Sequence, residues 1–588
     1  MMNLKHLVLL GSLLLHITVT RGQGFLHTQD QKIVNEKGQE VILRGVGLGG
    51  WMLQEGYMLR VRSEGQQQHV IRRRLEELIG KERTDAFYTG WLANHTRKAD
   101  IDSLAAWGFN SVRLPMHYNL YTLPVDQEPT PGANTWLDQG FAMTDSLLQW
   151  CKANKLYLIL DLHAAPGGQG NDLNISDRDP AKPSLWQSVH NQQKMIALWR
   201  KLAERYADEP YIGAYDIINE PNWGFESPDD KNGCAEQKNE PLKKLMVDIT
   251  AAIREVDKKH IIIIEGNCWG NNYNGIFPPW DNNTVVSFHK YWNNNETTDI
   301  QKFLDIRQRY NVPVWLGESG ENSNVWFRDA IHLMESNHIG WAWWPLKKLG
   351  ANNPLEVKVP AGYEQILDYW AGKGPKPTPE EAYPAITALT ENLRIENNIY
   401  HRDVVDAMIR QPHSDQVVPF KPHTVGLPIA AVDYDLGRNR YAYFDLDTGN
   451  YYISNGGTRS TGNKGHTYRN DGVDIVRQEG STPEVYYVAN IDAGEWLEYT
   501  VTVPQSGNYT VRVTTSAEAS GGKLYAALNK TMTATAVVPH TGKATDWKTV
   551  SVGTLQLAKG ANAIRIYAVA GGFNLKTIEI VKDARRKK

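Results

Sequence analysis

The sequence predicts a (β/α)8 barrel followed by an all-β jelly-roll sandwich. Eight apolar, largely β-branched runs alternate with amphipathic segments between residues 41 and 344, the pattern of a parallel sheet covered by helices. Polar residues recur where those runs stop. Beyond residue 424 the pattern changes to strict apolar/polar alternation punctuated by Gly, Asn and Pro, the mark of an antiparallel sandwich.

Taken in order, the chain opens with Lys5, an apolar stretch Leu7–Leu15 and smaller, polar residues through Gly24. That has the flanks of a secretory signal peptide and is too short to span a bilayer, so residues 1–23 are set apart from the fold and a secreted or periplasmic product is expected. The eight runs are Val41–Val46, Asn110–Pro115, Leu156–Leu162, Ala214–Ile218, Ile261–Glu265, Val285–His289, Val314–Gly317 and Ile339–Trp344. Helical periodicity fills the gaps at Leu137–Ala153, Leu185–Ala207, Pro241–Val256 and Val325–Asn337. A doubly wound sheet would also alternate in this way, but it leaves the count of eight unexplained. The barrel domain is assigned to 24–402, a linker or terminal barrel segment to 403–424, and the sandwich to 425–583. Trp496 and Tyr499, which alternate in one strand pattern, are expected in the sandwich core.

At 588 residues the chain needs more than one core, and 41% hydrophobic with 22% charged residues describes an ordinary globular protein. A net charge of −3 supplies no field for nucleic acid. The 19 Trp and 27 Tyr offer flat faces suited to sugar rings as well as to cores. Cys151, Cys234 and Cys268 fit neither a zinc site nor a dense disulfide framework; Cys151 reads as a small core residue, and a Cys234–Cys268 bridge is left open.

The chemistry converges on Ile218-Asn219-Glu220-Pro221. Neighbours in a regular strand point apart, so Asn219 and Glu220 share a site only if the strand ends there, and Pro221 is expected to hold Glu220 extended. Glu318 stands at another run's end, and a barrel brings both to one rim. Retaining glycoside hydrolysis needs such a pair, about 5 Å apart: Glu220 as general acid/base, Glu318 as nucleophile. Arg113 and Tyr291 would keep Glu318 ionised, and Asn219 would bind a sugar 2-hydroxyl. His163 and His289 close further runs, and Glu265 is left unassigned, an acid that holds a neighbouring loop. An isolated Asn-Glu-Pro is usually an ordinary turn; the ring of polar run ends outweighs that reading.

Gly213-Ala-Tyr-Asp-Ile-Ile-Asn-Glu-Pro, Trp315-Leu-Gly-Glu-Ser and Val286-Ser-Phe-His-Lys-Tyr resemble signatures of glycoside hydrolase family 5. Leu43-Arg-Gly-Val-Gly-Leu-Gly-Gly-Trp and Leu162-His-Ala-Ala-Pro-Gly-Gly-Gln resemble its branch acting on β-1,3- and related β-glucans. The resemblance implies catalysis by Glu220 and Glu318 and substrate contacts from Arg113, His163, Asn219, His289, Tyr291 and a Trp, aligned as Trp344 with Trp343 as the alternative. The tail segments Tyr468-Arg-Asn-Asp-Gly-Val-Asp-Ile and Ala493-Gly-Glu-Trp-Leu-Glu-Tyr-Thr-Val resemble carbohydrate-binding module family 6, which implies a sugar held between Tyr468 and Trp547 with Asn574 as hydrogen-bonding partner. Ala430 and Val432 replace that family's acidic pair and put its structural calcium in question. The expected protein is a monomeric secreted β-glucanase with a polysaccharide substrate, no catalytic cofactor or metal, and a tethered binding module. β-1,4-Glucan or mannan hydrolysis, and non-catalytic glycan binding, are the alternatives.

Overall fold

The computed structural model describes residues 24–447, 462–519 and 521–583, so the signal-peptide assignment lies outside the described residues. All eight runs are strands: β1 Arg44–Gly47, β2 Ser111–His117, β3 Tyr157–Ala164, β4 Ile212–Asp216, β5 Ile261–Glu265, β6 Thr284–Lys290, β7 Val314–Gly320 and β8 Gly340–Trp344. They pair in parallel and close in the order β8-β1-β2-β3-β4-β5-β6-β7. The first run divides: Val41 bonds back to Ile33 in an N-terminal hairpin, and the barrel begins at Arg44.

Alternation sorts the strand residues into two layers. Tyr157, Ile159, Ala214, Ile261, Ile263, Val285, Trp315 and Ala342 fill the bottom of the barrel, where Leu26 and Ile33 of the hairpin region plug it. Their neighbours, among them Leu158, Leu160, Tyr215, Ile262, Ile264, Val286 and Leu316, face outward against helices. Those helices include α1 Asp138–Asn154, α2 Val189–Tyr206, α3 Glu240–Val256, α4 Thr297–Tyr310 and α5 Asn324–Ser336. The same parity carries Arg113, Asp161, His163, Asp216, Glu265, Ser287 and His289 inward above the apolar plug, so the top of the barrel is polar because those positions in the sequence are.

The segment 403–424 begins inside helix α6, Arg402–Ile409, which packs on α5. Among the described residues, the rest of the chain forms two stacked sheets of seven and six strands over a separate apolar core. Tyr499, 1% exposed, lies in that core as expected, whereas Trp496 is three residues away on the opposite face of the same strand, covered by Arg565 at 3.9 Å and beside Tyr567, and is not part of the core. Cys234 and Cys268 are disulfide-bonded, tying the loop after β4 to the segment after β5, while Cys151 is a buried free thiol. Among the described residues no helix is long and apolar enough to cross a membrane.

Candidate active site

A cleft of 600 Å³ opens at the C-terminal ends of the strands, and Glu220, Glu318, His163, His289, Tyr291 and Trp344 all line it. Its floor is Arg113, 1% exposed, whose fork has a partner at every nitrogen. Nε and Nη2 donate to Asp216 at 3.0 and 2.8 Å, Nη2 to Asn219 Oδ1 at 2.8 Å, and Nη1 to Glu318 Oε2 at 2.8 Å, with Asp161 3.3 Å away. A buried guanidinium among four carboxylates stays charged, and each carboxylate is tolerable only because it is there.

Glu318 owes its orientation to a register shift. Its partner pairing jumps from Phe288↔Leu316 to His289↔Glu318, so Gly317 is an extra residue and Glu318 faces inward where unbroken alternation would turn it out. Gly317 has to lack a side chain, because a Cβ there would lie 2.1 Å from Ser287 Oγ. Tyr291 donates its hydroxyl to Glu318 Oε1 at 2.6 Å. Burial raises the Glu318 pKa, but His289, Arg113, His163 and the Tyr291 hydroxyl outweigh it, and the carboxyl is held below its usual range.

Glu220 lies beyond the end of β4 and its φ is 44°, so the extended backbone expected from Pro221 is not what forms. The chain turns left-handed at Glu220, and the Glu220 N–H is caught at 2.7 Å by Glu265 Oε2; this turn, rather than the strand, puts Asn219 and Glu220 in one site. Glu265 is thus the acid that holds the neighbouring loop, and it also faces His289 Nε2 at 3.1 Å. His289 Nδ1 lies 2.6 Å from Glu220 Oε1. Burial pushes the Glu220 carboxyl up to about 7, with Glu318 and Glu265 adding to the rise and His289 opposing it. Burial disfavours charge on His289, yet Glu265, Glu318 and Glu220 together hold its pKa well above the ordinary value. Single atoms of Glu220, His289 and Glu318 lie within 4.8 Å of one another. A cation would fit that spacing by distance, but Arg113 and a charged His289 already neutralise the same carboxylates.

The tryptophan that faces the cleft is Trp344, stacked on His163 at 5.1 Å and 5°, with its Nε1–H on the Tyr57 hydroxyl. Trp343 points out into the core against Trp326 and Phe327. Two glycines of the Leu43–Trp51 motif make the room: a Cβ at Gly49 or Gly47 would meet the Trp344 ring at 2.4 or 2.9 Å. His163 is raised to about 10, because Asp161 and Glu55 outweigh its burial. Sequence reasoning missed Asp161, Asp216, Glu55 and Tyr57. Asp161 and Asp216 sit at inward positions of runs already assigned, so parity could have found them, whereas Glu55 and Tyr57 lie just before and within the short 3-10 helix Gly56–Leu59, outside any such run.

In the sandwich the three expected ligand residues are not together. Tyr468 packs on Tyr486 and Phe420, with its hydroxyl on Asp433 and Lys421, while Trp547 packs on Tyr487. Tyr486 and Tyr487 are adjacent in one strand and point to opposite faces, so that strand separates Tyr468 from Trp547. Asn574 bonds to Ser516 and the Ala544 carbonyl, near Trp547, and Tyr487 is the aromatic neighbour the sequence did not reveal.

Residues 76–350 match the family described as Cellulase (glycosyl hydrolase family 5), and residues 469–580 match Carbohydrate binding module (family 35). The module family is therefore 35 and not 6; alternation and turn residues report sandwich strands, which such modules share, and do not report the ligand face. The chain is 29% identical over 387 residues to a beta-xylosidase of Phanerodontia chrysosporium, covering 59% of this chain and 76% of the relative. It is 24% identical over 384 residues to endoglucanase C of Acetivibrio thermocellus, covering 55% and 96%. It is 30% identical over 183 residues to a probable glucan 1,3-beta-glucosidase A of Aspergillus niger, covering 31% and 41%. One carboxyl raised by burial faces another held low across this cleft, in a barrel whose residues 76–350 match glycosyl hydrolase family 5 and beside a module that matches carbohydrate-binding family 35, and the chain is an O-glycosyl hydrolase.

Proposed function

We propose that this protein is a secreted, retaining glycoside hydrolase that cleaves β-glucosidic bonds in β-glucan polysaccharides, β-1,3- or β-1,6-linked chains being favoured. The observation that carries the mechanism is the pair itself: a carboxyl held up to about 7 and one held low, with atoms within 4.8 Å of each other. That separation is close to the roughly 5 Å of a double-displacement pair and short of the roughly 6.5–9.5 Å at which an inverting pair seats its attacking water. Glu318, ionised and aimed by Arg113 and Tyr291, attacks the anomeric carbon while Glu220 protonates the departing oxygen. Glu220, now a carboxylate, then takes a proton from water, which attacks the glycosyl ester and releases the sugar. His289 returns positive charge to the Glu220 side as the proton moves. Asn219, fixed by Arg113, faces the sugar ring, and Trp344 stacks beneath it. No cofactor enters these steps.

β-Glucan is favoured by the likeness to a probable glucan 1,3-beta-glucosidase and an endoglucanase together with the Leu43–Trp51 and Leu162–Gln169 segments. Proton NMR of the first product from laminarin or pustulan should show the β anomer. Initial release of the α anomer rejects the mechanism, and hydrolysis confined to carboxymethylcellulose, xylan or mannan rejects the substrate assignment.

A further inference from the structure

The C-terminal module does not touch the barrel only through the connecting chain. Its turn Arg469-Asn470-Asp471 is seated on the loop that follows the Glu318 strand, in a contact that excludes water: Asn470 is 4%, Asn324 4%, Asp403 1% and Asn322 0% exposed. The first N–H groups of a helix have no partner inside it. At the start of α5 that need is met from the module, where the Asn470 carbonyl accepts from Asn324 N at 2.8 Å. The Asn470 side chain donates to the Asn322 carbonyl at 2.9 Å and to Asn324 Oδ1 at 3.1 Å. Asp403 of α6 accepts from both Asn470 N and Asn324 Nδ2, at 2.7 and 2.8 Å. The turn is rigid on its own side, since Arg469 is paired with Asp471, lies 3.7 Å over the Tyr434 ring, and has its carbonyl held by Asn463.

From α5 two connections run back into the site. Asn322 Nδ2 reaches the Tyr291 carbonyl at 3.4 Å, and Trp326 in the first turn of α5 bonds Asn293 O through its indole and Asn295 Nδ2 through its carbonyl, at 2.9 and 3.1 Å. Those bonds hold the 291–295 loop, which ends at the Tyr291 hydroxyl on Glu318. We propose that Asn470 is a positioning residue for the nucleophile: the module caps α5 and clamps Asn322, which fixes the loop that aims Tyr291 at Glu318. The module is then part of the catalytic apparatus as well as a sugar-binding attachment. This rests on the reading of Glu318 as nucleophile.

The test uses the full chain with Asn470→Ala, assayed on 4-nitrophenyl β-glucoside, which is too small to engage a second domain. We expect kcat to fall about fivefold with KM little changed. The acid limb of the pH profile should move up as the Tyr291 bond loosens, and amide hydrogen exchange should quicken at 291–295 and 321–326. In a Tyr291→Phe background the same change should lower kcat less than about twofold, because the last connection is already gone. Fully additive effects, or unchanged exchange at 291–295 in a folded Asn470→Ala protein, overturn the proposal. Should Asn470→Ala not fold, Asp403→Asn keeps the shape, weakens the same clamp and completes the cycle. A wild-type protein inert on the glucoside, with exchange still responding at 291–295, would reject the nucleophile reading and uphold the coupling.

Discussion

In the proposed mechanism Glu220 and Glu318 are the same side chain made into opposite reagents by their neighbours. Positive groups crowd Glu318, while Glu220 is buried between two other acids and one histidine. The sign of the pH dependence follows: the proposed mechanism needs Glu220 protonated and Glu318 ionised. kcat/KM should therefore fall as pH rises through about 7, and fall at low pH only below the ordinary glutamate range. Glu220→Ala should lose the alkaline limb, and azide should restore turnover of substrates with good leaving groups; retention of that limb would assign it to another group. Arg113→Ala should be harder on the fold than either glutamate change. It strands Asp161, Asp216, Glu265 and Glu318 without their shared cation, a loss of about 3–5 kcal/mol. Urea unfolding measures this, and an unchanged midpoint would show that the carboxylates take up protons instead.

At the scale of elements, period-two alternation accounts for the inward residues of β2, β3, β5 and β6, because each side chain's face follows from counting along a regular strand. Counting fails at β7, where the extra residue Gly317 resets the register, and beyond β4, where Glu220 turns left-handed. Both exceptions lie at the two carboxyls proposed to react. Gly317→Ala should consequently displace Ser287 or Glu318 and lower kcat at least tenfold, with about 1–3 kcal/mol of lost stability from overpacking. Combining it with Ser287→Ala removes the atom a Cβ would meet and should recover much of the rate. A double variant no better than the single one would mean that the bulge fails for some other reason than that contact.

Across the whole molecule, the sandwich meets the barrel through buried hydrogen bonds, which departs from the tethered arm expected of the tail. Sugar capture and support of the barrel should then be separable by residue. Trp547→Ala should weaken retardation in β-glucan affinity gels while leaving kcat on a small aryl glycoside unchanged, since Trp547 packs on Tyr487 and no barrel residue is among its ring contacts. Loss of turnover in Trp547→Ala without loss of retardation would place the binding face elsewhere on the module.

The sequence by itself determined that there are eight barrel strands and a sandwich, that Glu220 and Glu318 meet at one rim, and that Arg113, His163, Asn219, His289, Tyr291 and Trp344 surround them. Those features are written in local periodicity and in residue type, which a chain carries before it folds. Only the tertiary structure decided what depends on a distant partner. Glu265 found its role because, at the end of β5, it faces the Glu220 N–H just beyond the neighbouring strand β4, Trp344 rather than Trp343 faces the cleft in the space left at Gly47 and Gly49, and Tyr468 was parted from Trp547 by a strand between them. The seating of Asn470 on α5 belongs with these: an unpaired helix N–H shows only that some acceptor must come, and the fold alone supplies which one.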